Sequence, residues 1–320
     1  MPTNRAIDAD ILILALDRID DTLAAIASAL AQTGLRQRVI VLDQGSRPEN
    51  FARLAACAAA HDDVILAQAE TNLGVAGGRN RAASLGDGRV IIGLDNDAEF
   101  ADPHCAARAV AVLDEQPALA AIGFRIVIHA TGADDLSSWG YPNALRARAG
   151  EHFAACTFVG AGHAIRRAAW EQVGGYDAAL FFCWEEFDFS LAALARGWRI
   201  GYRGDIVVRH KVSSEARLLW SDRRWFHFVR NRLYVGHKHG AGRGALMVRY
   251  LAYLARGLRN GLLWPTLVAL PAAWRMARNT HVAPLPTMAR RYLQRHDAAY
   301  RGRLVRRLTG EVLARLPGQR

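Results

Sequence analysis

Lysine is nearly missing from this chain. Only Lys211 and Lys238 among its 41 basic residues are lysine, so its positive charge is arginine almost throughout. Cysteine is scarce as well: Cys57, Cys105, Cys156 and Cys183 are the only four. None forms a C-x-x-C pair, and their spacing suits no zinc site. They are expected as free thiols in a reducing cytoplasm rather than as a disulfide framework. Long apolar runs are absent too. The longest uncharged stretch, Asn260 to Trp274, has 15 residues and is broken by Pro265 and Pro271. That is too short and too interrupted for a simple membrane-spanning helix. The start, Met1 to Asp10, is polar and acidic and lacks the basic and apolar regions of a signal peptide. No internal repeat or low-complexity segment is present.

What remains is globular composition: 320 residues, 51% hydrophobic and 22% charged. That excludes a disordered or fibrous chain and suits one large domain, alone or with an extension. The net charge of +11 is unevenly placed. Residues 201–320 carry 24 basic and 5 acidic side chains, whereas residues 1–200 are net negative. This asymmetry suggests a catalytic part followed by a basic surface-binding part.

Apolar runs at 11–15, 39–42, 64–66 and 90–94 read as buried strands. Residues 21–31, 51–60 and 79–85 between them have helical character. This alternation predicts an α/β fold with a parallel sheet covered by helices on both faces. Ligands on such sheets sit at the carboxyl ends of the strands. Asp43, Asn72 and Asp95 each follow an apolar run.

Two segments carry the first chemical signals. In Asp95-Asn96-Asp97, carboxylates at i and i+2 leave a buried strand together. The pair could hold a hard divalent cation and the ribose or phosphates of a nucleotide, or simply form an acidic turn. The segment Asn72-Leu-Gly-Val-Ala-Gly-Gly-Arg-Asn80 joins a strand to a helix with three glycines, which let backbone approach a ligand closely. Gly74 and Arg79 lie in it, beside a helix start that favours anions. Further on come Gly174-Gly-Tyr-Asp177, the acidic group Glu185-Glu-Phe-Asp188 ahead of a helix over 189–196, a strand over 206–208, and His210.

Taken in order, Val41-Leu-Asp-Gln-Gly-Ser46, the Asn72–Asn80 segment, Asp95–Asp97, Gly174–Asp177, Glu185–Asp188 and His210 resemble the inverting family 2 glycosyltransferases of GT-A fold. The likeness is strongest to the bacterial rhamnosyltransferase-like branch and spans about residues 10–240. It implies that Asp43 contacts the nucleotide base, and that Asn72, Gly74 and Arg79 line the donor pocket. Asp95 and Asn96 would contact ribose or sugar. Asp97, with His210, would bind a divalent metal, Mn2+ or Mg2+, bridging the diphosphate. Glu186 would be the general base, with Glu185 as the other candidate. Asp188 shares a helix face with Glu185 at i and i+3, so one of the two is expected to touch the acceptor or order the helix. Two departures stand out: Ala15-Leu-Asp-Arg18 follows the first strand where the family is usually polar, and the base position is Glu rather than Asp.

Inverting transfer needs a base to remove the acceptor hydroxyl proton and a cation to neutralise the leaving nucleoside diphosphate. The expected partners are therefore a nucleotide diphosphate sugar and a glycan or lipid-linked glycan. A GT-A domain is expected over 1–240 and a basic helical extension over 241–320, with a helix over 246–263. That extension either lies on an anionic membrane surface, consistent with a peripheral cytoplasmic location, or packs on the catalytic domain with a solvated basic face. No base-reading motif accompanies the charge, so nucleic acid is not the expected partner. Two other functions fit the acidic pairs less fully: a non-catalytic binding module, and a nucleotidyltransferase on a similar sheet.

Overall fold

The computed structural model describes residues 6–211, 221–302 and Leu316. Residues 1–5, and the predicted extension beyond residue 302 apart from Leu316, lie outside the described residues. Four parallel strands form one half of the sheet: β1 (Ala9–Ala15), β2 (Gln37–Asp43), β3 (Val64–Gln68) and β4 (Val90–Leu94), in the spatial order β3-β2-β1-β4. Ala15 stands opposite Asp43, Asp43 opposite Gln68, and Ile13 opposite Leu94, so these strands end along one edge.

The second half joins through β8 (Gly162–Arg166), antiparallel to both β4 and β6 (Leu119–Ile128). β6 runs parallel to β9 (Arg199–His210), against which β5 (Ala98–Phe100) and β7 (His152–Ala155) run antiparallel. β9 is far longer than the strand read at 206–208. It carries Gly201 and Gly204 and its faces alternate, so only a short part reads as a continuous apolar run.

Period-2 alternation assigns the two sheet faces. Ile11, Ile13, Val39, Val41 and Ile92 pack beneath α1 (Ile19–Leu30), α2 (Pro48–Ala59) and α4 (Cys105–Glu115). Leu12, Ile40, Leu42 and Ile91 pack on the other face with α3 (Gly74–Ala83), α5 (Arg167–Val173) and α6 (Glu185–Ala195). α3 begins five residues before the helix read from the sequence. The Gly74 N–H is received by Asn72 Oδ1 at 2.8 Å, and Gly74 takes φ of 72° directly against Phe181. The glycines read as a loop are thus the first turns of a helix. α6 likewise starts earlier than read, at the acidic pair itself.

A third apolar cluster lies outside the sheet. Trp225, Val229 and Leu233 of α7 (Asp222–Lys238) pack with Tyr250 and Tyr253 of α8 (Arg243–Arg259) and with Ala269 and Ala273 of α9 (Leu263–Arg278). The helix read over 246–263 therefore ends at Arg259. A turn at Asn260–Leu262 separates it from α9, which runs through Pro271. α10 (Thr287–His296) returns to the sheet, where the Tyr292 hydroxyl donates to the Ile200 carbonyl at 2.9 Å.

Candidate active site

The ends of β4 and β9 bring the first constellation together. Asp95 and Asp97 follow β4, and His210 closes β9. One ligand atom from each of the three lies within 4.8 Å of the others. Asp97 is fully buried, and its Oδ1 is 3.4 Å from His210 Nε2. The other ring nitrogen of His210 meets Asp135 Oδ2 at 2.8 Å, which fixes the orientation of the imidazole. Burial lowers the proton affinity of His210, but hydrogen bonds to Asp135 and Asp97 more than offset this and raise its pKa to about 9. Burial acts on Asp135 in the opposite sense. There, hydrogen bonds from His210, Ser137 and Ser138 prevail and hold the carboxyl well below its usual range. Two carboxylates and an imidazole are a donor set suited to a first-row divalent cation.

Arg79 and Asn80 brace this site from beneath. Arg79 is almost fully buried and donates to the Leu12 carbonyl, to the Leu94 carbonyl at 3.1 Å and to Asp95 Oδ1 at 3.2 Å. It ties α3 to the middle of β1 and the end of β4, and it aims Asp95. Asn80 clamps Tyr176 of the Gly-Gly-Tyr-Asp segment, donating to its carbonyl at 2.7 Å and accepting its N–H at 2.9 Å. Asp43 is fully buried at the end of β2, where its carboxylate receives the N–H groups of Gly45 and Ser46 and the amide of Gln68. Asn96 reaches back to the Thr22 hydroxyl at 3.2 Å.

The second constellation is the start of α6. Glu185 is buried and its Oε2 meets no hydrogen-bond partner. Burial, and then the neighbouring Glu186, push its pKa well above the carboxylate range. Glu186 is half-buried and lines a cavity of about 480 Å³. Burial is the main cause raising its pKa to about 7. A Cβ on Gly160 would lie 2.5 Å from Glu186 Oε1, so a side chain at 160 would displace this carboxylate from its present place. The next residue, Ala161, accepts the Asp95 N–H at 3.3 Å, which links the two constellations through one short loop.

Asp188 is placed differently. Its two oxygens meet Lys238 Nζ at 2.8 Å and His239 Nε2 at 2.9 Å. Lys238 also binds Asp177 Oδ2 at 2.8 Å. Asp188 and Asp177 thereby fasten α6 and the Gly-Gly-Tyr-Asp turn to α7, and Asp188 faces away from the cavity that Glu186 lines.

Several site residues escaped the sequence reading. Arg18 follows β1 and reaches Asp97 Oδ2 at 2.5 Å and Asp21 Oδ2 at 2.8 Å. Asp17 and Arg18 are consecutive non-glycine residues with φ near 50°, a strained turn that directs this guanidinium. The departure at Ala15–Arg18 was visible in the sequence, but its target, 79 residues away, was not. Asp135 gave no signal beyond an acidic residue before two serines. Buried His163 pairs with the Tyr176 hydroxyl at 3.3 Å, and burial lowers its pKa to about 3, so its ring is neutral.

A second strained turn precedes α6. Phe181, Cys183 and Trp184 all have φ between 63° and 75°. Asn231 Nδ2 lies 2.8–2.9 Å from the carbonyls of Leu180, Phe182 and Cys183, and Arg230 adds a bond to the Leu180 carbonyl. The Arg-Asn pair of α7 therefore holds the loop that aims the two glutamates.

The sequence profile of glycosyl transferase family 2 matches residues 10–174, just over half of the chain. The chain belongs to glycosyl transferase family 2. It is a glycosyltransferase of GT-A fold, and the matched span contains Asp43, the α3 segment and Asp95–Asp97. Solved structures share the whole architecture at low identity. A mannosyltransferase from Pyrobaculum calidifontis, solved with GDP-Man and Mn2+, is 19% identical at a TM-score of 0.60, covering 95% of this chain and 88% of that one. GalNAc-T7, solved with UDP, GalNAc and Mn2+, is 15% identical at a TM-score of 0.65, covering 91% of this chain and 56% of that one. No curated protein sequence matches.

Proposed function

We propose that this glycosyltransferase moves a sugar, with inversion, from a nucleotide diphosphate sugar to a hydroxyl of a glycan or lipid-linked glycan in cell-surface polysaccharide synthesis. One observation carries the reading. A raised, cavity-lining carboxylate, Glu186, stands one loop away from the Asp95–Asp97–His210 cluster but outside it. The acceptor oxygen would attack the anomeric carbon while its proton passes to Glu186. The anomeric carbon–oxygen bond to phosphate breaks, and its electron pair leaves with the nucleoside diphosphate. A divalent metal, Mn2+ or Mg2+ as in the two solved neighbours with Mn2+, would be held by Asp95, Asp97 and His210 and would neutralise that leaving group.

In this reading Asp43 and Asn72 border the nucleotide, while Gly74 and Arg79 shape the donor pocket from α3 and Asn96 borders the sugar. Glu185 is the runner-up as base, but it lines no part of the cavity. Asp188 is a positioning residue for α6. The resemblance leans toward the rhamnosyltransferase-like branch and a hexosyl donor. A catalytic domain over 1–240 would be followed by a basic helical extension.

The extension supports a peripheral site on the cytoplasmic face of an anionic membrane. Met247, Leu251 and Leu258 of α8 recur at i, i+4 and i+11 and are exposed; Leu263, Leu267 and Trp274 of α9 repeat the same spacing, also exposed. Trp264 is 71% and Trp274 60% exposed, with the Arg278 guanidinium over the Trp274 ring. Apolar stripes flanked by arginine suit the lipid interface. Among the described residues no helix is long and apolar enough to cross a membrane.

A thermal-shift panel of UDP, dTDP, GDP and CMP, each with and without Mn2+ or Mg2+, tests the donor site. A ligand at 100 times its dissociation constant adds about 2.7 kcal/mol. Metal-dependent stabilisation by one diphosphate is expected. A panel with no response to any nucleotide would point to a non-catalytic module. With turnover, release of pyrophosphate instead of nucleoside diphosphate would indicate nucleotidyl transfer.

A further inference from the structure

Arg18 places a cation of the chain itself at the candidate metal cluster. Its guanidinium is shared between two carboxylates. Nη1 donates to Asp97 Oδ2 at 2.5 Å, while Nε and Nη2 lie 3.0 and 2.8 Å from Asp21 Oδ2. Asp97 is fully buried, and a buried carboxylate needs such a counter-charge. The Arg18 side chain is 33% exposed, so it is the partner with room to move. The backbone that aims it is strained and firmly tied. Asp17 and Arg18 are both left-handed. The Asp17 N–H donates to the Ser46 hydroxyl at 2.8 Å, and Asp17 Oδ1 accepts the Arg47 N–H at 3.0 Å and the Asn50 amide at 2.8 Å. The Arg18 carbonyl accepts the Thr22 N–H at 3.0 Å and opens α1. The order of strands gives this turn its place. β1 lies between β2 and β4, so the turn after β1 stands between Asp43, which ends β2, and Asp95–Asp97, which follow β4. A donor whose base meets Asp43 and whose diphosphate meets the cluster would pass over Arg18.

We propose that Arg18 competes with the divalent metal for Asp97, and that the donor diphosphate decides the competition by taking over the guanidinium. This rests on the glycosyl-transfer reading and adds a regulation to its donor site: metal and donor are admitted together. While Arg18 holds Asp97, the cluster's grip on a cation alone is weakened. Phosphate oxygens match a guanidinium fork in charge and geometry, so with a diphosphate alongside, Arg18 can give up Asp97 and still keep Asp21. By linkage, the metal then favours the diphosphate as strongly as the diphosphate favours the metal. Direct contact between metal and phosphate adds its own coupling, and the share belonging to Arg18 is the part lost when its guanidinium is removed.

The test is a Mn2+ titration of the full chain without nucleotide, followed by the paramagnetic resonance signal of free Mn2+, with thermal unfolding as the check on folding. Arg18→Gln is expected to tighten Mn2+ about tenfold, a typical coupling between two sites. Arg18→Lys keeps the charge but loses the fork, so its affinity should fall between those of wild type and Arg18→Gln. Lys211→Gln separates competition for Asp97 from charge in general. The Lys211 ammonium lies 2.5 Å from Glu99 and 3.5 Å from Asp21, and its loss should change Mn2+ affinity far less. With saturating UDP, and with GDP in a second series, the gain in Mn2+ affinity should be larger for wild type than for Arg18→Gln. A merely structural ion pair predicts the reverse of the first result: lower stability, with Mn2+ bound no more tightly. Mn2+ affinity in folded Arg18→Gln equal to or below that of wild type would overturn the proposal, as would equal tightening by Lys211→Gln. Asp97→Asn binding Mn2+ as well as wild type would sink the metal-site reading itself, so the two failures are distinguishable.

Discussion

Glu185 and Glu186 are the same side chain one position apart, and the fold gives them different surroundings. Glu186 reaches the cavity past Gly160; Glu185 points into the protein, where one of its oxygens has no partner. Glu186→Gln is expected to lower transfer by 10²–10⁴-fold, the range of a lost general base, while metal-dependent nucleotide binding persists in the thermal-shift assay. Since the base acts deprotonated, kcat/KM of the wild type should climb with pH and level off above about 7, where Glu186 titrates. A flat profile from pH 5.5 to 8.5 would remove Glu186 from that role. Glu185 gives a stability prediction of definite sign. Its folded pKa is raised, so the fold prefers the protonated form. Stability is then fullest below the unfolded carboxylate pKa and declines as pH rises through the raised value. Glu185→Gln should therefore raise the unfolding temperature at pH 8 by a few degrees, with the gain vanishing near pH 4.

At the scale of elements, α6 is a helix whose start is held by its neighbour rather than by its own cap. The turn from Phe181 to Trp184 has three non-glycine residues in the left-handed region, each costing about 1–3 kcal/mol. α7 holds it there with Arg230 and Asn231, and Lys238 and His239 at the far end of α7 bind Asp188. Asn231→Ala strips a buried donor from three carbonyls, a loss of about 1–3 kcal/mol. The expected result is transfer reduced at least tenfold with nucleotide binding unchanged, since Asp95–Asp97 stand on a different element. An equal loss of nucleotide binding would mean that the two halves of the site are not separable. The acidic group at Glu185–Asp188 stands out in the sequence, but the contact of its preceding turn with α7 does not: about 50 residues and a strand lie between them.

At the scale of the whole molecule, charge and exposed apolar surface gather together in the C-terminal helices. The two lysines sit within the folded body, Lys211 on Glu99 at 2.5 Å and Lys238 between two aspartates, so the basic surface is made of arginine. Vesicle sedimentation is expected to capture the full chain on anionic bilayers and much less on neutral ones, with capture falling as salt rises. Trp264→Ser with Trp274→Ser should reduce partitioning about tenfold, since both rings lose their place at the interface. Equal binding of the double variant would leave the stripes without this role.

Motif order and hydrophobic period were enough to determine the alternating half of the sheet, because its buried parallel strands read as unbroken apolar runs. They also marked the carboxylates of Asp95–Asp97 and Glu185–Glu186, because these acidic pairs recur in order with the other motifs of the family. The half built from β6 to β9 was less legible, since its strands are long, interrupted by glycine and paired across large sequence distances. Arg79 reads as a ligand contact in the sequence, but in the fold it is a buried strut under Asp95. Asp188 reads as part of the acidic trio, but the fold turns it to Lys238 and His239. Those assignments and the aim of Arg18 at Asp97 depend on which strand ends and helix faces meet. Local propensity carries no record of those meetings, and only the packed chain decides them.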